Sequence, residues 1–193
     1  MPREQDTDPR VVRTRKLIQD AFMTIAQKKD FESITIKDIA AKATINRATF
    51  YAHYVDKYQV LDEMITKVFN EMISNRIYPG QEFSEETGRE LILLVYEYHI
   101  YAYEKCRINA KSIASHVEQV VKSQLQEIII QLLSNRTALK SQDPGKIEMA
   151  ATMIGAAIYS SSQSYFMRKN QKNPDDLVAD TLSFIISGMK AIL

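Results

Sequence analysis

The chain has 193 residues, 45% of them hydrophobic, enough for a real core in one larger domain or in a small module joined to a medium one. This composition excludes a disordered protein, the single cysteine Cys106 excludes an intrachain disulfide, and no stretch approaches the roughly 20 apolar residues that span a bilayer. The net charge of +1 hides an uneven division: residues 1–60 carry 11 Lys or Arg against 8 Asp or Glu, whereas residues 61–193 carry 14 against 16.

So small a basic excess ranks nucleic-acid binding only slightly above an ordinary solvated surface, and the residue pattern has to carry the argument. The N-terminal stretch MPREQDTDPRVVRTRK lacks the apolar run of a signal peptide, so a soluble, cytoplasmic chain with no membrane partner is expected.

In chain order, Leu17, Ile18, Ala21, Phe22, Ile25 and Ala26 recur at helical spacing and predict an amphipathic helix over 13–28. Thr35 followed by Asp38 has the spacing of an N-cap and its acidic partner, with Ile36, Ile39 and Ala40 as the apolar face of a short helix. After Ala43-Thr44-Ile45, Asn46 is a good N-cap for a second short helix, Arg47 to Tyr54. Asp56 caps a longer one that runs through Val60, Leu61, Met64, Ile65, Val68, Phe69 and Met72 and stops before Pro79-Gly80. Helices are then expected over 87–104, 107–115, 117–135, 146–169 and 175–191, with a turn at Ser141 to Gly145 and a break at Asn170 to Pro174. Alternating strand patterns are missing, so the reading is all-α with about nine helices.

Two short helices around a tight connection are common in ordinary helical packing, but the second of these has more to explain. Phe50 and Tyr54, four residues apart, are placed to pack on Ala21, Phe22 and Ile39, which turns Arg47, Thr49, Tyr51 and His53 outward. Arg reads guanine edges or clasps phosphate, Thr serves bases and phosphates, and Tyr donates to phosphate without charge. These are the groups of a helix lying in the major groove of DNA. Lys57, near the start of the next helix, is a candidate phosphate contact, and the Thr35 hydroxyl can both cap its helix and donate to a phosphate.

Residues 13–65 resemble the DNA-binding domain of the TetR family of bacterial transcriptional regulators. The resemblance rests on Phe31, Ile34-Thr35-Ile36, Asp38-Ile39-Ala40, Ala43, Ile45, Arg47, Thr49-Phe50-Tyr51, His53-Tyr54, Asp56-Lys57 and Leu61. It implies a helix-turn-helix domain at 10–57 and a helical ligand-binding and dimerisation domain at 58–193. It further implies a homodimeric, ligand-responsive regulator, most often a repressor, that places residues 46–54 on a palindromic operator of double-stranded DNA and is released by a small-molecule effector. Thr35, Tyr51, His53 and Lys57 then serve phosphates and groove edges, Arg47, Ala48 and Thr49 the variable reading surface, and Asn46, the cap of the reading helix, is a DNA-binding candidate with them. One departure stands out: Thr44 occupies a turn position where the family usually has glycine. Threonine takes positive φ poorly, so an altered turn geometry is expected.

The resemblance also implies that the last two helices pair across a dimer axis, for which Gly155, Ala156, Ser160 and Ser164, then Ile185, Gly188, Met189 and Ile192, are the candidates. Close packing inside one subunit explains the same small residues equally well. It implies an effector cavity too, with Tyr96, Tyr98, His99, Tyr101, Tyr103 and Arg107 as candidate walls, together with Asn109, His116, Gln119, Tyr159, Gln163 and Phe166. The effector itself is not specified by this chemistry.

An enzyme would need convergent acid, base or nucleophile groups, and the chain has no glycine-rich phosphate loop, HExxH helix or GxSxG turn. His99, Cys106 and His116 lack tight ligand spacing, so no metal and no cofactor are expected. The remaining alternative is a helical protein-interaction module, or a ligand-independent regulator, built on the same fold.

Overall fold

The computed structural model describes residues 8–105, 110–139, 142–168 and 173–193. Among them are eight α-helices: α1 (Pro9–Ala26), α2 (Ile36–Lys42), α3 (Arg47–His53), α4 (Lys57–Ser74), α5 (Glu85–Lys105), α6 (Ala110–Asn135), α7 (Pro144–Met167) and α8 (Pro174–Ile192). Two 3₁₀ turns, Phe31–Ser33 and Thr137–Leu139, complete the described elements. None of the described helices is long and apolar enough to cross a membrane.

Short-range hydrogen bonds set where most of these helices begin. Asp8 caps α1 by accepting from the Arg10 amide at 2.8 Å, and Pro9, with no amide hydrogen to satisfy, occupies the first turn. The helix therefore starts four residues before the predicted position. Asp143-Pro144 and Asn173-Pro174 repeat the device at α7 and α8, their side chains accepting from Gly145 and Asp175 at 3.0 Å each.

The predicted pair of helices at 107–115 and 117–135 is corrected to the single helix α6 from Ala110 onward. No Gly or Pro lies between Ala110 and Asn135, and Ile113, Val121, Leu125 and Ile129 form one buried stripe that rewards continuity.

The chain divides into two compact units. The first holds residues up to Ile65 with Glu104–Val117, and the second holds Thr66–Tyr103 with Glu118–Leu193. The division falls within α4 and again within α6. In the first unit Ile18, Phe22, Phe31, Ile39, Phe50 and Val60 are fully buried. Phe31 meets Phe22 and Tyr58 edge-on, with ring centroids 6.0 and 4.9 Å away. In the second unit Leu91, Leu94, Val95, Leu125, Ile129 and Ile158 are buried to completion. Gly155 is buried where α7 meets α6, and a Cβ there would stand in ordinary van der Waals contact, 3.6 Å from the Leu125 Cβ.

Candidate nucleic-acid interface

The turn between α2 and α3 is built from a tight set of backbone bonds. α2 opens with a capping box in which Asp38 N donates to Thr35 Oγ1 and Thr35 N donates to Asp38 Oδ2, both at 3.1 Å. Those hydrogen bonds, with Lys29 at 3.2 Å, hold the Asp38 carboxyl below the usual carboxylate range. At the other end the Ile45 amide donates to Ala40 O at 3.0 Å and the Thr44 amide to Ala41 O at 3.2 Å, the paired bonds of a Schellman stop.

The residue at the left-handed position of that stop is Thr44, with φ 57°. The altered turn expected from its sequence is thus not what forms. The threonine accepts the glycine-like conformation, at a cost on the order of 1–2 kcal/mol, and the two backbone bonds hold it there.

Asn46 then caps α3, its Oδ1 accepting from the Thr49 amide at 2.6 Å and from the Thr49 hydroxyl at 3.0 Å. The second bond has a chemical consequence: with its proton given to Asn46, the Thr49 hydroxyl keeps only acceptor capacity for any other partner. Phe50 and Tyr54 are buried at 0% and 2% exposure, which fixes the rotation of α3. Tyr54 is held further by Gln19, whose Nε2 donates to the Tyr54 hydroxyl and to Glu63 Oε1 at 3.0 Å each. With that face inward, Arg47, Ala48 and Tyr51 are exposed, as are Asn46 and Thr35, and Thr49 and His53 are half-buried. Burial first, and the Arg15 charge second, push the His53 pKa down, so the ring is offered as a neutral group rather than a cation.

Lys57 departs from its predicted role. Its ammonium donates to the carbonyls of Phe31, Glu32 and Ile34 at 2.7, 3.1 and 3.2 Å and lies 4.5 Å from the Phe31 ring centroid. All three ammonium hydrogens have partners, and the side chain is only 14% exposed. Lys57 therefore clasps the Phe31–Ser33 turn to the start of α4 instead of reaching out as a phosphate ligand. Sequence inspection missed this because the three carbonyls lie 23 to 26 residues away.

The effector candidates separate into distinct places. His99, Tyr159, Phe166 and Tyr103 join in one aromatic cluster: His99 lies parallel to Phe166, with centroids 6.1 Å apart, and meets Tyr159 at 5.0 Å, while Tyr103 meets Phe166 at 5.6 Å. Tyr96 instead pairs with Tyr165 at 5.7 Å. Tyr98 is a core residue packed edge-on against Phe69, Tyr101 and Gln119 are exposed, and Gln163 is half-buried.

His116 belongs to the first unit and not to this cluster. Its Nε2 stands 2.5 Å from Asp62 Oδ1, and its ring meets Tyr58 at 5.3 Å. Arg107 and Asn109, like Cys106, lie outside the described residues.

Among the dimerisation candidates, Gly155 faces α6 within the chain, and Ile185 and Met189, at 3% and 7% exposure, also line the apolar groove between α7 and α8. Ser160 and Ser164 are exposed, and Ala156, Gly188 and Ile192 line the same groove, about 440 Å³ in volume. Three large groups on this surface escaped the sequence reading: Met149, Met153 and Phe184, the last 72% exposed. The spacing of four between Met149 and Met153, continued by Ala157 in the groove, was the available signal.

Residues 18–64, which run from the second half of α1 to the first half of α4, match the family described as bacterial regulatory proteins, tetR family. This segment is a DNA-binding domain of the TetR family. Members of the TetR family act by binding DNA rather than by catalysis. The chain is 46% identical over 97 residues to an uncharacterized HTH-type transcriptional regulator, YxbF, of Bacillus subtilis (strain 168). The match takes in 48% of the chain and 26% of YxbF, so the chain corresponds to about a quarter of that relative's length. The TetR fold extends over nearly all of the chain. A TetR transcriptional regulator from Streptococcus agalactiae 2603V superposes with a TM-score of 0.59 at 16% identity, covering 95% of this chain and 99% of that one. The dihydroxyacetone kinase operon activator DhaS superposes with a TM-score of 0.55 at 20% identity, covering 94% and 98%. At these identities the likeness is one of fold.

Proposed function

We propose that the protein is a ligand-responsive transcriptional repressor that binds a palindromic operator as a homodimer and leaves it when a small molecule occupies the second unit. The observation that carries this reading is the division of α3 into a fully buried face, Phe50 and Tyr54, and an exposed face, Arg47, Ala48 and Tyr51. A helix anchored on one side by aromatic packing and offering a cation, a phenol and small side chains on the other suits the major groove.

Self-association is supported by the groove between α7 and α8 and by the exposed Met149, Met153 and Phe184 around it. Contiguous apolar surface of this kind marks an interaction site. Two-fold pairing presents two copies of α3 to half-sites about 34–36 Å apart, one turn of the duplex. Effector control is supported by the size of the second unit, which contains the aromatic cluster and no part of α3. A ligand that favours a DNA-incompetent arrangement weakens operator binding by population shift alone.

Gel-shift titration against the DNA flanking the gene tests the reading. The expected result is a sequence-preferring complex with two protomers per operator. Sequence-blind binding at low salt, or none, would leave a protein-interaction module as the better account.

A further inference from the structure

The second unit holds a buried polar atom that none of the described residues satisfies. His99, only 9% exposed on α5, has an Nε2 with no hydrogen-bond partner among them, while its ring bonds to the Tyr159 backbone through the other nitrogen. A ring that donates to a backbone carbonyl at Nδ1 leaves Nε2 as a bare acceptor. The setting keeps it so: burial is the main cause that pushes the His99 pKa down to about 4, with the backbone bond and the Glu118 charge opposing it. An acceptor held neutral and unpaired in an apolar site is expensive to leave unmade, and such groups call for an explanation.

The rings around it describe the shape of a complement. Tyr98, Tyr159 and Phe166 each present a ring within about 5 to 6 Å of the imidazole, and Tyr103 flanks Phe166. Tyr98 and Tyr159 are buried, but Phe166 is half-buried in the last turn of α7 and Tyr103 is 74% exposed, so the cluster runs from core to surface on that side.

We propose that His99 is the polar anchor of the effector site, and that the effector is an uncharged aromatic alcohol of the phenol class whose O–H donates to His99 Nε2 while its ring takes a place among Tyr159, Phe166 and Tyr103. This rests on the effector-controlled reading given above. A carboxylate brings only acceptors to an acceptor nitrogen and is disfavoured, and an ether lacks the donor. The aromatic walls supply the apolar area, and the single directed bond supplies orientation.

The test uses the full chain labelled with ¹⁵N-histidine, titrated with 4-ethylphenol and, separately, with 4-ethylanisole and 4-ethylbenzoate. The expected result is saturable binding of the phenol with a shift of the His99 Nε2 resonance, and binding at least about tenfold weaker for the ether and the acid, one charge-free hydrogen bond's worth of discrimination. His99→Phe should bring the phenol and the ether to equal affinity. The wild-type resonance carries the test if that variant does not fold.

Equal binding of phenol and ether to the wild-type protein would overturn the assignment, as would an Nε2 already bonded to a buried water and unmoved by any phenol. Operator release in a broad compound screen separates the two readings. Release by a compound that leaves Nε2 unmoved keeps effector control and removes His99. Phenol binding at Nε2 without release keeps the site and removes effector control.

Discussion

Lys57 and Phe31 are joined twice, by an ammonium-to-carbonyl hydrogen bond of 2.7 Å and by the placement of the same ammonium 4.5 Å from the Phe31 ring. The contact ties the turn that precedes α2 to the helix that follows α3, and so closes the helix-turn-helix from behind. Lys57→Met should destabilise the protein by about 2–3 kcal/mol, because three carbonyls lose a charged donor at once. Lys57→Arg should recover little, since a planar guanidinium does not match three converging carbonyls. Urea denaturation checks both. Unchanged stability with a salt dependence of DNA binding lowered by one phosphate contact would restore the predicted role.

Thr44 at φ 57° makes the opposite kind of prediction. Thr44→Gly should stabilise the fold by about 0.5–1 kcal/mol, the relief of left-handed strain less the greater freedom of glycine in the unfolded chain. Operator affinity should stay the same. A melting temperature that falls would mean that the Thr44 side chain makes a contact worth more than its strain.

The reading face of α3 should divide by chemistry. Arg47→Ala should cost about 1–3 kcal/mol at the preferred operator and relax preference at the bases it faces, whereas Tyr51→Phe should cost about 0.5–1.5 kcal/mol evenly across sequences. Asn46→Ala removes the cap that also orients Thr49, with about 1 kcal/mol of stability lost. Binding measured against a randomised operator pool would reveal whether the losses are specific or uniform. Identical, sequence-blind losses at Arg47 and Tyr51 would end this division of roles.

Acid should destabilise the second unit through His99. Its pKa is depressed to about 4 in the folded chain from 6.5, so the unfolded chain binds the extra proton between those values. The stabilisation is complete above pH 6.5 and is lost as pH falls toward 4. Between pH 7 and 5 the loss is about 2 kcal/mol. His99→Phe should lack that component, and paired denaturation curves of the two proteins at pH 7 and 5 measure it by difference.

Phe184, exposed beside the α7–α8 groove, is the residue on which self-association is expected to depend. Phe184→Glu should weaken the dimer about 30-fold or more, a loss typical of a buried aromatic anchor. Sedimentation would record the monomer, and operator binding would become half-site binding of low affinity. A variant that remains dimeric would direct attention to another surface.

Much of the fold was legible because helix starts are written in neighbouring residues. Thr35 with Asp38, and Asn46 with Thr49, cap over three positions, and the apolar faces of α1 to α4 repeat at the helical period. The pair Asp8-Pro9 was equally local and was passed over because the apolar stripe begins later. The candidate site was legible in its outward residues, Arg47, Ala48 and Tyr51, since burying Phe50 and Tyr54 leaves α3 only one rotation. The histidines were not. His99 and His116 occur on similar helical stretches, yet one is enclosed by aromatic rings and the other is matched with Asp62, 54 residues away.

The all-α class, most helix starts and the buried face of α3 are written locally in the chain, because they depend on hydrogen bonds and side-chain periodicity within a few residues. Folding settled that Thr44 bends into the left-handed turn, that Lys57 is spent on the Phe31, Glu32 and Ile34 carbonyls, and that His99 keeps a nitrogen unpaired among the described residues. The Thr44 turn is held by backbone bonds to Ala40 and Ala41, which cap the helix in spite of the side chain. The surroundings of Lys57 and His99 are set by burial and by partners brought together on folding, and local sequence carries no energy term for a partner twenty or more residues away.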